Sequence, residues 1–145
     1  MNRQSANDLM LWQGRVIIAD TPWQRLRGWY GRADSTNSPA ISAVLLTACR
    51  AVHSIALQRQ LHLCWLDASG RCIHLTPSLK PWRLAACAAA TQVLEIDVRA
   101  LSARLLPQIF GSQLRICHDH AGYVYASLNI GTHDIPKQTE TFKYP

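Results

Sequence analysis

Apolar and polar positions along this chain follow short, mostly two-residue periods broken by turn residues, which is the pattern of a β protein. Leu61 to Leu66 reads as a buried strand, with Leu61, Leu63 and Trp65 on one face and His62, Cys64 and Leu66 on the other. Asp67-Ala68-Ser69-Gly70 follows. Asp at the first turn position and Gly at the last suit a type I turn with a glycine bulge, so Arg71 to Thr76 returns as the second strand of a hairpin. Further strands are expected over Gly14–Ala19, Ala43–Thr47, Thr91–Ile96 and Leu114–Cys117, and the alternation in Tyr123–Ile130 allows one more. Two short helices complete the set. Asp20-Thr21-Pro22 supplies a capping side chain followed by Pro at a first helical position, predicting a helix from Pro22 to Tyr30 that Gly31 stops. Val98, Leu101 and Leu105 share a helical face, predicting a second helix over Val98–Leu106 that Pro107 ends. Asp34–Pro39 and Pro77–Arg83 read as loops, the first as a mobile one, and the last dozen residues as a loosely held tail.

The 145 residues, 48% of them hydrophobic, suffice for one core. The expected fold is mainly β (α+β), a compact β-sandwich or barrel-like single domain with two short helices. It is divided into an N-terminal extension 1–13, a domain 14–117 and a partly ordered C-terminal extension 118–145. The formal charge of +6 is carried by 15 Lys and Arg, 12 of them Arg, spread along the chain. Dispersed arginines favour planar contacts to carboxylates and phosphates but make no clustered nucleic-acid footprint, so no nucleic-acid partner is expected. The apolar stretch Leu9–Trp12 is too short for the core of a signal peptide, and no run reaches the length of a membrane span. A soluble, cytoplasmic protein is the expectation. The five cysteines, an odd number without a C-x-x-C pair, then read as reduced thiols.

A series of landmarks runs in order through the chain: Ala19-Asp20-Thr21 with Arg25, Arg27, Gly28, Gly31 and Arg32; Val52-His53-Ser54; Leu66-Asp67 with Gly70; Lys80-Pro81-Trp82-Arg83; and Val93-Leu94-Glu95. In that order and spacing, over roughly residues 14 to 116, the chain resembles the domain-of-unknown-function family one hundred and ninety-two. It departs from the family pattern at Trp29-Tyr30, where Leu-Met is usual, at Leu57 in place of Met, and at His62 in place of Asp. The resemblance implies a β-dominated domain without a firmly attached activity. Its relatives often look exported and sit among envelope and pilus-assembly functions, which implies an accessory role there.

Four constellations have residues suited to chemistry. With a bulged turn, Cys64 would face His74 while His62 and Cys72 fall on the same side of the hairpin, a Cys/His set of the kind zinc takes. A pleated sheet spreads such side chains apart, so packed thiols and hydrogen-bonded histidines are the expectation, with no metal. Cys117-His118-Asp119-His120 gathers ligand types in adjacent residues, which a regular strand cannot converge. Cys49 and His53 invite a thiol nucleophile with a histidine base, against the alternative that His53 orients a loop by bonding to backbone or to Glu95. Lys80-Pro81-Trp82-Arg83 joins a stiff backbone, a flat apolar surface and two cations, unless Arg83 simply pairs with Glu95 or Asp97. Arg25, Arg27, Trp29 and Tyr30 extend that rim if the first helix packs nearby.

The expected function is a noncatalytic binding or accessory module. His53, Lys80, Trp82, Arg83, Arg27 and Glu95 would present an anionic small molecule or a protein partner with its binding surface, with no cofactor. The alternative is a small hydrolase or metal-binding protein built on His53 with Glu95, or on the hairpin residues His62, Cys64, Cys72 and His74.

Overall fold

Strand β1, Asp8–Ala19, organises the sheet because it changes partner along its length. From Asp8 to Arg15 it pairs antiparallel with the last strand, β9 (Val124–Gly131), and from Arg15 to Ala19 it runs parallel to β2 (Ile41–Thr47). A register shift between Arg15 and Val16 falls where the partner changes, and another between Met10 and Trp12 lies within the pairing with β9. Gly14 is required there: a Cβ would lie 2.6 Å from the Trp12 ring and 2.7 Å from the Ser42 Cβ. The structure, a computed structural model, describes residues 8–29 and 40–131. The predicted stop at Gly31, the loop Asp34–Pro39 and the tail lie outside them.

The remaining strands are β3 (Ala51–His53), β4 (Leu61–Leu66), β5 (Cys72–Leu79), β6 (Leu84–Ala86), β7 (Gln92–Asp97) and β8 (Gln113–His118). Seven strands form one sheet in the order β5-β4-β7-β2-β1-β9-β8, and β3 and β6 pair as a separate ribbon. The two edges of the large sheet meet. Arg71 bridges Gln113, with Cys72 N–H donating to Ser112 O at 2.9 Å and Leu114 N–H to Gly70 O at 2.9 Å, so the sheet curls into a barrel-like closure. Among the described residues the protein is thus mainly β with two short helices. Residues 8–13 belong to β1, and β9 lies between β1 and β8, so both ends of the described chain are woven into the sheet.

The strand parities explain the two apolar clusters. Inside the curl lie Val16, Leu45, Cys64, Leu66, Leu94, Ile96 and Leu128, closed by Leu101, Leu106 and Ile109. On the opposite face lie Val44, Leu46, Leu61, Leu63, Trp65 and Val93, covered by Trp29, Val52 and Ala90. β4 is buried at all six positions because both of its faces are covered. The Asp67–Arg71 turn forms as its sequence predicts: Asp67 N–H donates to Arg71 O, Gly70 N–H to Asp67 O, and Gly70 takes φ +84°. Asp119-x-x-Gly122-Tyr123 repeats the same set of bonds between β8 and β9, with Asp119 Oδ1 accepting from Ala121 and Tyr123 N–H.

Both helices differ from expectation. Helix α1, Pro22–Arg27, has the predicted Thr21 cap, reinforced by Gln24 in a capping box. It ends three residues early because Gly28, at φ +47°, returns its N–H to Gln24 O and turns Trp29 into the core. The predicted helix over Val98–Leu106 is absent. Asp97 captures the Arg99 N–H, Ala100 N–H folds back to Asp97 O, and the segment proceeds by turns to a single helical turn, α2 (Leu106–Ile109). Pro107 starts that turn instead of ending a helix, since the first turn is where a missing N–H costs nothing. No helix among the described residues is long and apolar enough to cross a membrane.

Candidate functional site

Glu95 is held near the centre of the sheet by β7, whose Leu94 and Ile96 face the inner cluster and so turn Glu95 to the outer face with Val93. Three pieces of chain roof that face. The end of α1 passes over it, close enough that a side chain at Gly28 would come 3.8 Å from Glu95 Oε2. The Cys49–His53 segment forms a second wall, and Leu57 closes a third. Together they enclose a pocket of about 320 Å³, lined by Arg25, Arg27, Trp29, Cys49, His53 and Glu95 with apolar walls from Leu46 and Val52.

Ser54 fixes the position of His53. It is fully buried, its Oγ donates to Lys80 O at 2.6 Å and accepts from Arg83 N–H at 3.0 Å. Its own N–H donates to Arg83 O and its carbonyl accepts from Trp82 N–H, both at 2.9 Å. One serine therefore ties the histidine segment to the Lys80–Arg83 loop, and His53 pairs with Leu84 in the β3–β6 ribbon.

The pocket's polar groups are in an unusual state. Burial alone pushes the Glu95 carboxyl up to about 8, so it is largely protonated at neutral pH. Among the described residues no hydrogen bond or ion pair reaches it. The Cys49 thiol is raised as well, chiefly by burial and with Glu95 contributing, against the Ala51 hydrogen bond and the Arg25 charge. Its Sγ donates to Ala51 O at 3.1 Å, so it is a neutral thiol and not a poised nucleophile. The His53 Nδ1 and Trp29 Nε1 atoms are buried with no hydrogen-bond partner. Trp65, the other indole on this face, satisfies its Nε1–H on Thr76 Oγ1 at 2.9 Å. Orphaned buried polar atoms carry a real penalty, typically about 1–3 kcal/mol each, and two of them share one cavity.

Of the residues predicted for the site, His53, Arg27 and Glu95 line the pocket. Lys80, Trp82 and Arg83 do not. They stand on the outer surface, Trp82 being 64% exposed, and the Arg83 guanidinium donates to Trp82 O. Asp97, the other acid considered for Arg83, is engaged by Arg59 and Arg99. Arg25 and Trp29, expected to extend the Lys80–Arg83 rim, line this pocket instead, apart from that loop. The clamping role of Ser54 and the pairing of Asp97 with Arg59 and Arg99 are not among the expectations from sequence. Asp97 is two residues from Glu95 and hence on the same face, a parity visible in the sequence.

The hairpin does not assemble its four candidate ligands. Leu66 pairs with Cys72, as the bulged turn requires, but a further register shift pairs Trp65 with His74 and sets Leu75 opposite Cys64. His74 is exposed. Cys64 and Cys72 remain together inside, and the hydrogen bond to Cys72, with burial, raises the Cys64 thiol well above its ordinary value. His62 is consumed by the backbone: Nδ1 accepts from Ser78 N–H at 3.1 Å, which leaves Nε2 to donate to Leu101 O at 3.2 Å. Burial lowers its affinity for a proton. Asp119 of Cys117-His118-Asp119-His120 is likewise spent on its turn. No group of three or more His, Cys, Asp or Glu among the described residues is arranged to hold a metal ion.

No protein-family model and no curated protein matches the chain. One solved structure is similar, a protein of unknown function from Novosphingobium aromaticivorans. It is 14% identical, with a TM-score of 0.50 over 72% of this chain and 84% of that one. At that identity the likeness concerns the fold alone.

Proposed function

We propose that the protein is a noncatalytic binding module whose site is the pocket under α1, and that its ligand is a small organic anion bearing a carboxylate. The observation that carries this reading is the lining itself: among the described residues its one carboxyl, Glu95, is held neutral by burial in a pocket that the guanidinium side chains of Arg25 and Arg27 also line. Trp29 Nε1–H is a buried donor without an acceptor, and a protonated Glu95 is another, so a carboxylate would satisfy groups that the protein leaves open. The volume, about 320 Å³, is at the small end of ligand pockets, and Leu46, Val52 and Leu57 suit a short apolar body. A hydrolytic reading needs His53 bonded to an acid or a thiol, and its Nδ1 is unbonded while the thiol donates elsewhere. Membership of the domain-of-unknown-function family one hundred and ninety-two, and with it a link to envelope or pilus assembly, is supported by the ordered landmarks named above.

The test is titration calorimetry at neutral pH with butyrate, hexanoate and inorganic phosphate, alongside thermal melts. A carboxylate should bind and raise Tm, and His53→Ala and Arg25→Gln should each weaken it about tenfold, the worth of one charge-assisted hydrogen bond. If none of the three anions binds at millimolar concentration, the proposal is wrong.

A further inference from the structure

The Lys80–Arg83 loop is built for something other than the pocket. Trp82 has φ +62°, a left-handed backbone that a bulky aromatic residue rarely adopts and that costs about 1–3 kcal/mol. The strain is held by Ser54, which bonds the backbone of Lys80, Trp82 and Arg83 from beneath. The result is an indole held away from the core, 64% exposed. Two more apolar side chains flank it: Leu84, 77% exposed, and Ile55, 43% exposed and next to the clamping serine. Around these stand exposed Arg50, Lys80 and Arg83, and residues 48–58 and 77–90 contain no Asp or Glu. An apolar crest, with nearby cations that form no ion pair among the described residues, faces solvent.

We infer that this crest is a docking surface for an anionic lipid bilayer. Charge complementarity and area together select that occupant. Three partly exposed side chains offer on the order of a few hundred Å², well short of the roughly 800 Å² per partner of a stable protein interface. A bilayer needs no matching groove: an indole and a leucine wedge at headgroup depth while each Lys or Arg gains from the surface potential. The strain at Trp82 then has a purpose, since it holds the wedge outward before contact.

The full chain is mixed with vesicles of phosphatidylcholine alone and of equal parts phosphatidylcholine and phosphatidylserine, and partition is read by sedimentation and tryptophan emission. Binding should occur only to the serine-lipid vesicles, weaken as salt rises, and shift the emission to the blue. Trp82→Ala should lower the partition coefficient about tenfold, and Lys80→Ala and Arg83→Ala about fivefold each. Phe110→Ala removes an exposed ring at the opposite end of β5 and should change nothing. Melts of each variant verify that the fold is kept. Absence of partition, or partition that Trp82→Ala leaves intact, overturns the inference. Trp82-dependent capture of a polyglutamate peptide without vesicle binding also overturns it, assigning the crest to an acidic protein segment.

Discussion

Glu95 and Asp97 lie two residues apart on β7, on one face of the sheet, 5% and 3% exposed, yet their surroundings treat their charge in opposite ways. Asp97 is met by cations. Arg59 reaches Oδ2 at 3.0 Å, and Arg99 reaches Oδ2 at 2.8 Å and Oδ1 at 3.1 Å, with its backbone N–H on Oδ1 at 2.9 Å. Burial raises the Asp97 carboxyl, but the Arg99 bonds and the charges of Arg99 and Arg59 outweigh it, so the net shift is downward. Glu95 has burial alone and moves up to about 8. The indole of Trp29 stands between them, lining the pocket of Glu95 and carrying the Arg59 guanidinium 4.4 Å from its ring centre. One carboxylate is a strut. The other is kept neutral at the floor of a cavity, a cost that the proposed ligand site would explain.

The comparison is most exposed to pH. Glu95 binds its proton more tightly folded than unfolded, so its contribution is fully present below about 4.5 and is lost as pH rises through about 8. Three and a half pH units correspond to on the order of 5 kcal/mol. Glu95→Gln should therefore be nearly neutral in urea melts at pH 5 and markedly stabilising at pH 9. Asp97 has the reverse sign. Its contribution is present above its unfolded value and disappears as pH falls through its lowered folded value, so Asp97→Asn should remove part of the acid limb and leave the alkaline one. Parallel alkaline limbs for wild type and Glu95→Gln would break the distinction.

Next in size is the loss of the strut itself. Asp97→Ala leaves Arg59 and the Arg99 backbone without their acceptor, and should cost about 2–3 kcal/mol, below the usual figure for a broken buried pair because the Arg99 side chain is 74% exposed. Arg59→Ala, which also strips the ring of Trp29, should cost about 1 kcal/mol. Urea midpoints with unchanged slopes would check both values. If Arg59→Ala matches Asp97→Ala, the strut rests on Arg59 and Arg99 is incidental.

What the sequence revealed of these two regions follows the range of the forces involved. The Asp67-x-x-Gly70 turn and the Thr21-Pro22 cap were legible because a side chain bonds backbone a few residues away. The Asp119-x-x-Gly122 turn obeys the same rule and was equally readable. The alternation in β4 fixed its two faces, since period two is a local property. Pro107 is ambiguous in the sequence because its meaning depends on whether helix lies before or after it, and Asp97 decides that by capturing Arg99. The first half of β1 is not legible locally because its partner, β9, lies more than a hundred residues on. His74 looked like a ligand until the register shift at Trp65 and Leu66 turned it outward. The pocket combined both kinds: His53, Arg27 and Glu95 stood out as landmarks, but the protonated state of Glu95 and the orphaned Trp29 depend on α1 closing over the sheet.

The smallest expected effect on stability is the most telling for the pocket. His53 makes no hydrogen bond through Nδ1, so His53→Ala should shift stability by no more than about 0.5 kcal/mol at neutral pH. A histidine that held a loop in place would cost two to four times as much, and here Ser54 already performs that task with bonds of its own. A variant that melts like wild type yet fails to take up a carboxylate separates binding from folding at one residue. A variant that loses both would return His53 to the scaffold, and the contrast along β7 would then lack its functional half.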